Sequence, residues 1–169
     1  MSELFLIGDT HWDHANILKF KRDDGTPLRP FNSIHDMNMI MVENWNSVVN
    51  PKDKIYHMGD VAFTKTGLNF LKLCNGHKRL VRGNHDLFKI TEYLEFFEEV
   101  YGVRQIDGYW MTHVPMHIDS INRAKANIHG HLHYNIIDHP KYFNVSVERI
   151  NYTPISFDLI KKQYDFLSS

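Results

Sequence analysis

Apolar positions along the chain fall into short runs, each stopping at glycine or a polar residue, and between the runs their spacing lengthens to three and four. ELFLIG (3–8), KIYHMG (54–59), KRLVRG (78–83), YWMTH (109–113), ANIHG (126–130) and YFNVSV (142–147) have the length and makeup of strands. Ile34, Met37, Met41, Trp45 and Val48 recur at helical spacing, which predicts a helix over 33–48 capped by Ser33, with Asp36 near its positive end. Leu68, Leu71 and Leu73 predict a second helix near 67–74. Leu159, Ile160 and Phe166, following Pro154 and a capping Ser156, predict a last one over 157–167. Methionines and aromatics in these stripes read as core positions rather than cofactor contacts. Strands interleaved with helices, with no repeat, low-complexity tract or linker between them, imply one α/β domain over residues 1–169.

The chemistry sits where the strand candidates end. The first is followed by Asp9 and His11, the second closes on Gly59 before Asp60, and the third is followed by Asn84, His85 and Asp86. YWMT runs into His113, with Pro115 beyond it, and ANI runs into HGHLH, where His129, His131 and His133 alternate. In open α/β sheets this edge is where ligands bind. Three alternating histidines fit a polar strand face as well as they fit a metal site. The other donors decide between the two. Asp9, His11, Asp60, Asn84, His113, His131 and His133 supply enough oxygen and nitrogen lone pairs for two ions, and Asp60 has two oxygens with which to bridge them. Two ions about 3.5–4 Å apart can clamp a phosphoryl group and lower the pKa of a shared water.

Composition narrows the class further. The 169 residues, 43% hydrophobic and 23% charged, suit a globular chain with a real core. A formal net charge of −1 implies no bulk attraction to nucleic acid or to a membrane surface. Cys74 is the single cysteine, which excludes an internal disulfide and a thiolate zinc cluster. The N-terminal apolar run stops at Asp9 without a preceding basic segment, and no apolar run approaches the ~20 residues of a membrane helix. These features lead us to expect a soluble, cytoplasmic protein.

The ordered set DTH, GD, GNHD, H and GHLH resembles the calcineurin-like metallophosphoesterases, and the match spans nearly the whole chain. DTHWDHANILKF, RPFNS, NWNSVV, HMGD, RGNHD, THVP and HGHLH are similar to a small group of them found in bacteria and phages. The resemblance implies a β-sandwich flanked by helices. It assigns one ion to Asp9, His11, Asp60 and His133, and the other to Asp60, Asn84, His113 and His131. It also implies that His85, oriented by Asp86, contacts the phosphate and protonates the leaving oxygen.

Manganese is the expected pair of ions, with iron, nickel, cobalt and zinc as alternatives, since His, Asp and Asn donors without sulfur suit these better than calcium. The expected substrate is a small or nucleotide-type phosphodiester; the alternatives are phosphomonoester hydrolysis and a binding scaffold that has lost catalysis. Nucleic acid is admissible as a substrate, although net charge argues against a nucleic-acid-binding module. The short chain and Asp86, where protein phosphatases of the superfamily carry Glu, argue against that activity, and there is no room for the capping domain of the large nucleases. His14 is a candidate substrate contact or a solvated helix start. His57 is expected to pack within its strand, and His129 to be structural or to orient a ligand by a hydrogen bond. His117 and Arg123 read as surface loop, and Lys19, Lys21, Arg22 and Arg29 as mostly a solvated face. Trp12 and Asp13 stand where relatives often have Phe and Gly. Physiological substrate and oligomeric state stay open.

Overall fold

The structure, a computed structural model, describes residues 2–168 and consists of two mixed sheets with helices against them. The first sheet carries β1 (Leu4–Ile7), β2 (Lys54–His57), β3 (His77–Val81), β4 (Glu99–Tyr101) and β9 (Ile155–Ser156) in the order β4-β3-β2-β1-β9, parallel except for β9. The second carries β5 (Arg104–Ile106), β6 (Tyr109–Met111), β7 (Ala126–His129) and β8 (Tyr142–Asn144) in chain order, parallel except between β5 and β6.

Both faces of the first sheet are covered, which explains why its strands read as nearly continuous apolar runs. Phe5, Ile7, Ile55 and Leu80 enter a core with Met37, Met41 and Trp45 of α1 (Ile34–Val48). Their strand neighbours Leu6, Tyr56 and Val81 point the other way. They pack against Tyr109, Met111, Ile128 and Phe143 of the second sheet, with Phe157 and Ile160 of α4 (Phe157–Ser168). Helix α1 begins where expected, the Ser33 hydroxyl accepting the Asp36 amide at 3.0 Å. Trp45 closes its buried face and donates its indole N–H to the Asn75 carbonyl at 2.9 Å, so the ring gains burial worth about 3 kcal/mol without losing a hydrogen bond.

Elsewhere the elements differ from expectation for local reasons. The run 142–147 leaves β7 after Asn144, because Gly8 donates to the Val145 carbonyl and accepts from the Val147 amide, stitching the end of β1 to the second sheet. The helix expected near 67–74 is one α-turn, α2 (Lys65–Leu68), continued by a 3-10 segment Asn69–Leu73. Ser156 lies in β9 opposite Phe5, directly before the first residue of α4. Strands β4, β5 and β9 and the single turn α3 (Ile90–Tyr93) are additional; each is too short or too polar to show a period. Among the described residues no helix is long and apolar enough to cross a membrane.

Candidate metal centre

The ends of β1, β2, β3, β6 and β7 meet at one edge of the paired sheets and bring all seven expected ligands to it. Ligand atoms of Asp9, His11 and His133 lie within 4.8 Å of one another, as do those of Asp9, Asp60 and His113. Asn84 Oδ1 is 2.9 Å from His113 Nε2 and 3.0 Å from His131 Nδ1, and those two nitrogens are 3.3 Å apart. Asp9 belongs to both groups, and Asp60, in the second, faces rings of both. Asp60 Oδ2 is 3.4 Å from His113 Nε2 and 3.8 Å from His11 Nε2, close to the spacing of donors that share a cation.

Local backbone pays for this convergence. Five of the seven ligands have left-handed backbone, with φ of 55° at Asp9, 48° at His11, 55° at Asp60, 69° at His131 and 50° at His133. Such conformations cost non-glycine residues of order 1–3 kcal/mol each and cluster at functional sites. Two glycines of the motifs leave the space that the carboxylates fill. A β-carbon would lie 2.3 Å from Asp60 Oδ1 at Gly83, and 2.4 Å from Asp9 Oδ2 at Gly130.

The donors fit a cation. His11 is 3% exposed, yet neither of its ring nitrogens has a hydrogen-bond partner, a state that buried polar atoms rarely tolerate. The centre is also electrostatically prepared. Burial pushes the Asp60 carboxyl up, but the His113 hydrogen bond and charge and the His85 amide bring it down to about 2. Burial pushes Asp9 up to about 6 against the opposing pull of His113 and His133. Burial lowers His113, but Asp60 and Asp9 outweigh it and raise the ring to about 9. Its Nδ1 donates to the Met58 carbonyl at 2.7 Å, which fixes Nε2 toward the ligand cluster.

A buried pair behind the ligands was not legible as such in the sequence. Glu148 accepts from Arg29 Nε at 2.8 Å and faces His133 Nδ1 at 3.0 Å, both its side chain and that of Arg29 being wholly buried. Arg29 also donates to the carbonyls of Thr10 and Asp9. It is therefore not part of a solvated basic face, as its neighbourhood of lysines suggested; it is an internal clamp. Burial raises the Glu148 carboxyl, but Arg29 and His133 hold it below the usual carboxylate range. The signal was the alternation of Asn144, Ser146 and Glu148, polar residues facing inward at a strand end. Ser146 donates to Asp9 Oδ2 at 2.8 Å.

Asp86 differs from expectation too. Its carboxylate accepts the backbone amides of Asp60, Val61 and Gly83, and among the described hydrogen bonds none joins it to the His85 ring. It shapes the loops that carry Asp60 and His85. The His85 ring is exposed, 6.2 Å from that of His11 and 5.1 Å from Phe63, an aromatic the motifs did not single out. His14 is half-buried against the same phenyl ring at 4.4 Å. His129 is buried, with Nδ1 at 2.8 Å from the Gly130 carbonyl and Nε2 without a hydrogen-bond partner. Trp12 is core, stacked on Phe70. Arg22 lies over the Tyr134 ring at 3.8 Å, while Lys19 is exposed.

His57 packs within its strand as expected. Its Nδ1 accepts the Gly59 amide at 3.2 Å and its Nε2 faces the Thr10 hydroxyl at 2.9 Å, whose proton goes to the Val61 carbonyl. Burial, aided by the charge of His113, lowers its pKa to about 3. A depressed folded value against about 6.5 unfolded means that the neutral ring's contribution is complete above pH 6.5 and is lost as pH falls toward 3, by up to about 1.4 kcal/mol per pH unit. His57→Gln should therefore flatten the acid limb of stability by about one proton between pH 6 and 4. Urea unfolding across that range reads the slope; an unchanged slope would contradict the assignment.

No protein-family model matches the chain. The protein named Uncharacterized protein MJ1445, from Methanocaldococcus jannaschii, is 38% identical over 175 residues, an alignment covering 96% of this chain and 91% of that protein. A crystal structure described as the protein of unknown function AQ665 from Aquifex aeolicus superposes with a TM-score of 0.76 at 27% identity, covering 96% of this chain and 99% of its own. With that identity sustained over nearly the full length of both sequences, the chain belongs to the same family as the Methanocaldococcus jannaschii protein MJ1445.

Proposed function

We propose that this protein is a dinuclear-metal phosphoesterase of the calcineurin-like type that hydrolyses phosphodiesters at least as well as phosphomonoesters. The observation that carries the reading is the convergence of seven N and O donors in two groups around Asp9 and Asp60, with the buried His11 ring unpartnered. Two mixed sheets packed face to face, with α1 and α4 on opposite faces of the first, fit the flanked sandwich that the sequence resemblance implies.

One ion would be held by Asp9, His11, Asp60 and His133, and the other by Asp60, Asn84, His113 and His131. When bound, the ions would supply Lewis acidity toward the phosphoryl oxygens and a hydroxide near neutral pH. The protein's own groups do the rest. The His85 amide is anchored on Asp60 Oδ1 at 2.9 Å, which leaves its exposed ring free to give a proton to the departing alkoxide. Phe63, stacked on His11 with centroids 5.4 Å apart, covers one face of that ring. Glu148 holds the His133 ring in one orientation.

Preference for a diester follows from the cations. A monoester dianion rewards an extra positive group at the phosphate, but Arg29 is consumed by Glu148 and two carbonyls, and Arg22 and Arg149 lie against the Tyr134 ring. A diester carries one charge and needs its leaving oxygen protonated, which is the role given to His85. We expect kcat/KM for bis-p-nitrophenyl phosphate to equal or exceed that for p-nitrophenyl phosphate under the same manganese loading. A strong preference for the monoester would overturn the diesterase reading, and hydrolysis of neither would overturn the phosphoesterase reading.

A further inference from the structure

Exposed aromatic rings are distributed unevenly over this protein. Among the described residues, the large exposed aromatics are Phe20 (50% exposed), Phe63 (39%), Tyr134 (39%) and Phe166 (79%), and the first three surround the candidate metal centre. Scattered apolar surface residues need no explanation, but three aromatics around one cluster of ligands do. They form two flanks. On one, Phe63 touches the rings of His11, His14 and His85 at 5.4, 4.4 and 5.1 Å, and Phe20 lies 6.2 Å from His14. On the other, a cavity of about 370 Å³ opens beside the ligands His131 and His133, lined also by Phe20, Lys21, Arg22, Asp23 and Tyr134.

The second flank is cationic as well as aromatic. Arg22 and Arg149 stand 3.8 and 5.5 Å from the Tyr134 ring centre. The Nε of Arg22 is shut off from solvent and has no hydrogen-bond partner. Lys21 is exposed next to it, on a short hairpin closed by the Arg22 amide on the Thr26 carbonyl. A diester projects two substituents from phosphorus, and here two flanks of the ligand cluster each carry aromatic rings, with positive charge on one of them. Bases stack on exposed rings whatever their identity, and neighbouring phosphates pair with Lys and Arg. A plain alkyl or sugar diester, with no neighbouring phosphates, would leave the cations unused.

We propose that the rim formed by Phe20, Phe63 and Tyr134, with Lys21 and Arg22, binds single-stranded nucleic acid across the centre. This rests on the phosphodiesterase reading and names its substrate class. The small net charge is no obstacle, because Lys21, Arg22 and Arg149 meet beside Tyr134, against Asp23 as the acidic residue lining the same cavity.

The test measures binding separately from turnover. Fluorescein-labelled, phosphorothioate-linked oligonucleotides of eight residues, one of thymidine and one abasic with equal charge, are titrated with manganese-loaded protein and followed by anisotropy. The thymidine probe should bind at least about tenfold more tightly, since a stacked base is worth ~1–3 kcal/mol. Phe63→Leu and Tyr134→Leu keep apolar bulk without an aromatic face, and each should erase most of that difference. Lys21→Ala should weaken both probes alike and flatten the salt dependence. Equal binding of the two probes, a base preference untouched by both leucine variants, or an unchanged salt slope would overturn the proposal. Hydrolysis of bis-p-nitrophenyl phosphate on the same preparation keeps the two readings apart. Turnover without base-dependent binding removes the nucleic-acid rim alone, whereas base-dependent binding without turnover removes the diesterase reading and leaves a single-strand-binding surface.

Discussion

Replacing His85 by alanine is expected to lower turnover of a chromogenic phosphodiester by about 10²–10⁴-fold while leaving the content of bound metal close to that of the wild type. The two effects separate because His85 meets the centre in two ways. Its amide donates to Asp60 Oδ1 at 2.9 Å, and alanine keeps that amide. Its exposed ring, beside Phe63 and 6.2 Å from the His11 ring, is what alanine removes. Asp60→Asn should do the reverse first: it removes charge from the oxygen lying between His11 and His113 and so should weaken both ions. Elemental analysis alongside steady-state kinetics reads both quantities. An empty site in His85→Ala, or turnover that survives it, would overturn the role assigned to His85.

Glu148→Gln is expected to be the most damaging substitution outside the ligands. Arg29 and Glu148 are wholly buried, so removing one charge strands the other in a place water does not reach. Breaking such a pair costs about 3–5 kcal/mol, a large share of a domain's stability. The same change replaces the carboxylate that orients His133 with a neutral amide, for which about a 10–100-fold loss of metal affinity is expected. Chemical denaturation and metal titration measure the two effects independently. A variant as stable as the parent would mean that the pair is not the internal clamp described here.

How far the sequence disclosed this arrangement depended on whether a residue acts from a strand end or from behind it. Asp9, His11, Asp60, Asn84, His113, His131 and His133 stood out because each follows an apolar run, and strand ends converge by topology. α1 was readable from five apolar positions and a serine cap. Arg29 and Glu148 are 119 residues apart in the chain, and only the fold brings them together. Arg29 sits among residues that do face solvent, so local charge density pointed the wrong way. Asp86 carried a motif role that its carboxylate, engaged with three amides, fills through the backbone rather than through His85. Phe63 was invisible for a different reason: an aromatic left exposed on purpose looks in sequence like any core residue. β4, β5 and β9, of two or three residues, lie below the length at which alternation can be seen.

The measurement closest to the central claim is the number of metal ions bound per chain. Metal-free protein titrated with Mn²⁺ in an isothermal calorimeter, then desalted and checked by elemental analysis, should take up two ions per chain, and Asp60→Asn should fall well short of two. Wild-type protein that binds no transition ion, or that hydrolyses phosphodiesters at full rate after chelation, would contradict the account.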